Sequence, residues 1–278
     1  MAKVLLIDCN PDASLIITDM LKDNAEIIVE PFSEQKEITD FNLVILYSDS
    51  TDDQQILRKI KNLHFRTKFR NIPIILLKDK SELFSDQPYF NFGVSEFMAL
   101  DEPQPIFNQI LQGYLNPGRQ PLERELIYLT PFIESTKTVL SKMASMEAEF
   151  RGVYFKNSLR ILGDVSGVIG LSGTTEGTVI ITFLWNLARQ VIANIMEVKE
   201  NEINAEMIHD GVGEIINMIS GSAKKSLLEA SYDFQLSIPT IIVGWGHEVG
   251  HPDNATIAVL TFDVGDQAFV LHISLTQK

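Results

Sequence analysis

The chain has 278 residues, with 23 Lys and Arg against 37 Asp and Glu for a formal charge of −14, and its composition is 45% hydrophobic and 22% charged. That profile is globular rather than disordered. Its acidity argues against a partner bound through a net basic surface, whether nucleic acid or anionic lipid. The charge is evenly spread, with 11 basic and 18 acidic residues up to position 118 and 12 and 19 beyond it, so neither half is a charged tail.

A single cysteine, Cys9, allows no internal disulfide. The opening MAKVLLID has its apolar run cut by Asp8, so no signal peptide is readable. No apolar run reaches the roughly 18 residues of a membrane span. The expectation is a cytoplasmic protein of a reducing compartment, without a membrane or nucleic-acid partner.

From Met1 to about Asn116, short β-branched runs alternate with amphipathic stretches. KVLLID, AEIIVE, LVILY, IPIILL and SEFMAL read as five strands. DDQQILRKIKNL and QPIFNQILQGYL space their apolar residues at three and four, as crossover helices do. This predicts a doubly wound (βα)5 domain over 1–116. NPGRQPLE, residues 116–123, carries two prolines and a glycine and marks a linker, taken as 117–124.

The remainder, 125–278, reads differently. A long helix is expected from Glu125 to about Glu149, with apolar positions at Leu129, Phe132, Ile133, Val139, Leu140 and Met143. Strands follow at VSGVIGLSG and GTVIITF, then a helix through LWNLARQVIANIM, a second long helix from about Ile203 to Ala230, and strands at IPTIIVGWG, NATIAVLTFDV and AFVLHISL. Long helices among antiparallel strands indicate an α+β domain. The two long helices, each leading into strand pairs, hint at an internal duplication.

The first half resembles, in architecture and position, the receiver domain of bacterial response regulators. A working receiver carries an acidic pair after its first strand for Mg²⁺, an acceptor Asp after its third, a Ser or Thr after its fourth and a Lys after its fifth. Here these positions fall on Asp8 and Cys9, Tyr47, Lys78 and Leu100. A thiol is a poor ligand for a hard cation, and the acceptor carboxylate, hydroxyl and lysine are all replaced. A shifted register would put Asp49 at the acceptor position but would not restore the lysine. The resemblance therefore implies a pseudo-receiver used for packing, dimerisation or partner docking.

The stretch DGVGEIINMISGSAKKSLLEA divides on a helix into an apolar face of Ile208, Val212, Ile215, Ile219 and Ala223 and an outward face of Asp210, Glu214, Asn217 and Gly221. Glu214 and Asn217, three apart, project together. With VIGLSGTTEGTVIITF, the amphipathic helix after it, GEIINMISG and PTIIVG, residues 123–278 resemble the CheX branch of the CheC/CheX/FliY chemotaxis phosphatases. The resemblance implies that Asn217 orients a water towards the acyl phosphate of a separate, phosphorylated CheY-like receiver. It implies also that Glu214 contacts that receiver's lysine, and that Mg²⁺ belongs to the receiver, with no cofactor of the chain's own. Some relatives carry the pair twice. On the first long helix Glu134 is followed at the third position by Lys137, so one site is expected. A non-catalytic adaptor that binds or dimerises around receivers is the alternative, and either a monomer or a homodimer is compatible with the sequence.

Residues 247–251, HEVGH, match the His-Glu-x-x-His zinc pattern. They follow a β-run closing on two glycines, so the expectation is a solvent-exposed hairpin tip, with adventitious metal binding left open. Gly170, Gly173 and Gly177 run into a strand rather than a helix N-terminus and read as a hairpin turn. Phe183 and Trp185 sit at core spacing, and His209 beside Asp210 reads as a partly exposed helix residue or a general-base pair.

Overall fold

The computed structural model describes residues 2–34, 38, 41–49, 52–67, 72–80, 89, 94–115, 123–156, 161, 163–244, 247, 249–250, 257–265 and 267–277. It divides into two compact units, Met1–Gln120 with Tyr154–Ser158 and Pro121–Val153 with Leu159–Lys278.

In the first unit the elements run β1 (Ala2–Ile7), α1 (Pro11–Leu21), β2 (Ala25–Glu30), β3 (Leu43–Tyr47), α2 (Asp53–Thr67), β4 (Ile74–Lys78), β5 (Glu96–Ala99) and α3 (Gln104–Leu115). The strands pair in the order β2-β1-β3-β4-β5, and every pairing is parallel. The order reverses direction at β1, as in doubly wound sheets, and places the C-terminal ends of β1 and β3 side by side. β3 and β4 are buried throughout because helices cover both faces of a parallel sheet. Asn10 caps α1, its Oδ1 accepting from Ala13 N at 2.7 Å, and Pro11 begins the first turn. The expected α/β class is the observed one.

The second unit begins with α4 (Glu123–Ala144), followed by β6 (Glu149–Lys156), which belongs to it as far as Val153, then β7 (Val165–Gly173), β8 (Thr175–Phe183), α5 (Trp185–Met196), a 3-10 turn at Glu200–Glu202 and α6 (Ala205–Glu229). It ends with β9 (Phe234–Leu236), β10 (Thr240–Val243), β11 (Ile257–Val264) and β12 (Gln267–Gln277). The seven-stranded sheet runs β10-β7-β8-β12-β11-β6, with β9 also pairing β7. The long hairpins β7–β8 and β11–β12 and the β8–β12 contact are antiparallel, so the unit is α+β as expected.

Two readings of this half need correction. The first long helix stops at Ala144 rather than near Glu149, because Ser145 takes a left-handed backbone (φ 52) and EFRGVYFK then extends into β6. Of the three glycines, Gly173 (φ 148) makes the β7–β8 turn, whereas Gly170 and Gly177 lie inside the strands. A β-carbon at Gly177 would fall 1.8 Å from the Ser274 carbonyl oxygen, so only glycine lets β8 and β12 approach this closely.

The core lies between this sheet and its helices. Phe183, Phe262 and Phe269 are fully buried, with the last two stacked at 5.1 Å directly across β11 and β12. Gly167 of β7 lets α6 lie close, since a β-carbon there would stand 3.0 Å from Ile216 and 3.1 Å from Val212. Among the described residues no helix is long and apolar enough to cross a membrane.

Candidate functional site

α6 positions the site. Asn204 caps it, Oδ1 accepting from Met207 N at 2.9 Å, and Glu206 places a carboxylate in the first turn, where the helix dipole favours it. Ile208, Val212, Ile215, Ile219, Ala223 and Leu227 are buried along one stripe. Packing of that stripe against the sheet and α4 fixes the rotation of the helix, and Asp210, Glu214 and Asn217 are left exposed on the opposite face. A β-carbon at Gly221, one turn beyond Asn217, would meet nothing within 4 Å. The outward stripe expected from the sequence is therefore present, with open space at its glycine. The side chains of Glu214 and Asn217 form no hydrogen bond or ion pair with a described residue, so both are available to meet an incoming molecule. The corresponding pair on α4 is closed on itself, Lys137 Nζ lying 3.3 Å from Glu134 Oε1.

The first unit presents the opposite situation. Asp8 follows β1 in a left-handed conformation (φ 58), which turns its carboxylate to accept from Phe32 N at 2.8 Å through Oδ1 and from Lys59 Nζ at 2.8 Å through Oδ2. Both side chains of this ion pair are only about a quarter exposed, at 24% and 23%. An ammonium group thus compensates the one carboxylate that the expected metal position retains, and that position does not suit Mg²⁺. Burial, with the charge of Asp8 beside it, pushes the Cys9 thiol up to about 12. At the end of β3, the Tyr47 hydroxyl accepts from Asn10 Nδ2 at 2.7 Å and donates to Asp79 Oδ1 at 2.9 Å. Burial and that carboxylate hold its proton far above the usual phenol range. Lys78 is buried, its Nζ 5.6 Å from the Tyr89 ring centroid. Asp49 is exposed two residues beyond β3. The part played by Lys59 was not legible in the sequence, because it comes from α2, 51 residues from its partner.

In the HEVGH motif, Trp245 and Gly246 just before it, and Glu248 and His251 within it, lie outside the described residues. His247 is half-buried rather than at a solvent-exposed tip. Its Nδ1 is 2.7 Å from Gly244 O and its Nε2 2.8 Å from Ser166 Oγ, which in turn meets Thr182 Oγ1 at 2.6 Å. Ser166 alternates with Gly167 on β7, so His247 packs on the sheet face away from α6. Val249 is buried there with Ile161 and Ile180. With both ring nitrogens engaged by the fold, His247 serves packing, and among the described residues no group of three potential ligands gathers around a metal position. His209 lies edge-on to Trp185 at 6.1 Å while Asp210 is exposed, so the two do not act as a pair.

Comparison with known proteins places these observations in a family context. The family model described as "Chemotaxis phosphatase CheX" matches residues 165–263, which span β7 to β11 and include all of α6. The solved chemotaxis protein CheX from Desulfovibrio desulfuricans is 30% identical over 54% of this chain and 99% of its own, with a TM-score of 0.50. A CheC-like superfamily protein from Shewanella sp. PV-4 is 30% identical over 54% of this chain and 98% of its own, also at a TM-score of 0.50. CheX from Vibrio vulnificus is 34% identical over 54% and 99%, at 0.49. No curated protein sequence matches the chain.

Proposed function

Because the chain belongs to the CheX family of chemotaxis phosphatases, we propose that it hydrolyses the aspartyl phosphate of a separate CheY-like receiver, with α6 as the docking helix and catalytic element. Asn217 orients the attacking water. Glu214 pairs with the receiver's lysine and sets the register. The observation that carries this reading is the exposure of Glu214 and Asn217 together on one face of a helix whose other face is anchored in the core.

The chemistry asks little of the protein. An aspartyl phosphate is a mixed anhydride whose Mg²⁺ is held by the receiver, so the remaining barrier is largely placement of water in line with the P–O bond. Water oxygen bonds to phosphorus, the bond to the aspartyl oxygen breaks, and the products are inorganic phosphate and the free carboxylate. A neutral carboxamide can accept and donate hydrogen bonds to hold that water without repelling the phosphoryl group. A carboxylate in its place would be repelled, which suits Glu214 to the cationic lysine instead.

In this reading the first unit is a docking or regulatory module rather than a second phosphoacceptor, since Asp8 is neutralised by Lys59 and Tyr47 stands at the acceptor position. The deciding experiment follows the decay of a phosphorylated CheY-like receiver in Mg²⁺ with and without the protein. Accelerated release of phosphate at substoichiometric protein supports the phosphatase. Binding of the receiver with an unchanged decay rate replaces it with the adaptor.

A further inference from the structure

The turn between β9 and β10 stands beside the outward stripe of α6. A β-carbon built on Gly213 would lie 3.7 Å from Pro239 Cβ of this turn and 3.6 Å from Ile241 Cδ1 of β10, so the turn and the start of β10 lie next to α6 at Gly213. Gly213 and Asn217 are four residues apart on α6, which puts them one above the other at roughly 6 Å. Ile238, the residue before Pro239, is 88% exposed, more than any other large hydrophobic side chain among the described residues.

Its mounting is rigid. Ser237 N donates to Gly170 O at 2.9 Å, Gly170 N donates to Ser237 Oγ at 2.9 Å, and the Ser237 hydroxyl donates to the Ile238 carbonyl at 2.9 Å. Pro239 fixes the next φ and biases Ile238 towards an extended backbone. An apolar side chain held out to water on an ordered turn gains nothing for the fold. Its neighbour Pro239 lies beside Gly213, one helical turn before Asn217, so the exposed side chain is already mounted next to that face and available to a partner at little further cost in ordering.

We propose that Ile238 is a specificity-determining contact for the receiver: it packs against an apolar patch beside the receiver's phosphorylation site while Glu214 and Asn217 engage the site itself. The inference rests on the reading of α6 as the receiver-facing surface and assigns to the β9–β10 turn the apolar half of that surface. Ile238 acts on affinity and not on the reacting atoms, so its loss moves KM and leaves kcat in place.

The test uses the full chain and its Ile238→Ser and Ile238→Leu variants. Dephosphorylation is measured over a range of phosphorylated receiver concentrations, receiver binding by fluorescence anisotropy, and self-association by sedimentation. Ile238→Ser is expected to raise KM and Kd about tenfold with kcat and Tm unchanged, in line with the loss of one buried aliphatic side chain at an interface. Ile238→Leu is expected to recover most of the affinity. An unchanged KM and Kd in an otherwise active protein overturns the inference and leaves the phosphatase reading intact. A parent chain that binds the receiver but does not hydrolyse its phosphate overturns the phosphatase reading, while weakened binding by Ile238→Ser still supports the inference. A shift from dimer to monomer with unchanged receiver affinity assigns Ile238 to self-association and overturns it.

Discussion

Asn217→Ala separates chemistry from folding because its two expected effects have opposite signs. The Asn217 side chain is exposed in the middle of α6 and bonds to no described residue, so truncation breaks no contact of the fold. Alanine is the better helix former by roughly 0.5 kcal/mol, which for a unit of this size raises Tm by about 1–2 °C. If the carboxamide holds the attacking water, its removal forfeits transition-state stabilisation of about 3–4 kcal/mol, the range for losing one preorganised donor elsewhere, and kcat falls about 100- to 1000-fold. The assay is phosphate release from a phosphorylated CheY-like receiver in Mg²⁺, read beside a thermal melt of the same preparation. A rate within about threefold of the parent would refute the assignment. A rate loss accompanied by a lower Tm would make Asn217 structural instead.

Other perturbations test neighbouring steps of the argument. Gly221→Leu adds a side chain to open space on the outward face; it is expected to stabilise α6 by roughly 1 kcal/mol in a denaturant titration while raising KM for the receiver more than tenfold by obstruction. The Cys9 thiol, held at about 12 chiefly by burial, is expected to react with iodoacetamide at pH 8 far more slowly than a free thiol. Since its folded pKa is raised, the associated stability is complete below the ordinary thiol pKa of 9.0 and is lost as pH climbs from there to about 12; Cys9→Ala should remove that slope from the urea midpoint. Incubation with acetyl phosphate and Mg²⁺ is expected to leave the chain unphosphorylated, because Lys59 neutralises Asp8 and Tyr47, not a carboxylate, stands at the position the receiver resemblance assigns to the acceptor. Phosphate-affinity electrophoresis checks this, and a shifted band lost in Asp49→Asn would show that a neighbouring carboxylate accepts phosphate.

Regular local patterns were legible in the sequence, and contacts made across it were not. The five apolar runs of the first unit became parallel strands because a sheet covered on both faces needs nearly unbroken β-branched segments. The outward stripe of α6 followed from a 3.6-residue period alone. β6 was hidden because Met146 and Ala148 continue the apolar spacing of α4, and only the left-handed turn at Ser145 interrupts it. β9 is three residues long and owes its existence to pairing with β7. Ile238 reads in the sequence as the start of a strand, whereas in the structure Ser237 ties the turn to Gly170 of β7 and leaves the Ile238 side chain exposed beyond that anchor. The Asp8–Lys59 and His247–Ser166 contacts join residues 51 and 81 positions apart, beyond the reach of any local signal.

Among the described residues, the partners of the polar groups differ at the ends of β1 and β3, on α4 and on α6. At the ends of β1 and β3, Asp8 and Tyr47 have their charges and protons taken up by Lys59, Phe32, Asn10 and Asp79. On α4, Glu134 and Lys137 neutralise each other within one turn. A group already satisfied by its own fold must break that contact before it can engage a substrate, and in a partly buried pair the broken contact is costly. Glu214 and Asn217 begin without such a debt, and the rigid burial of Ile215, Ile216 and Ile219 beneath them holds the pair in place. A phosphatase that relies on positioning a water needs that combination of unsatisfied polar groups on an immobile support, which is why α6 is the element where the proposed chemistry belongs.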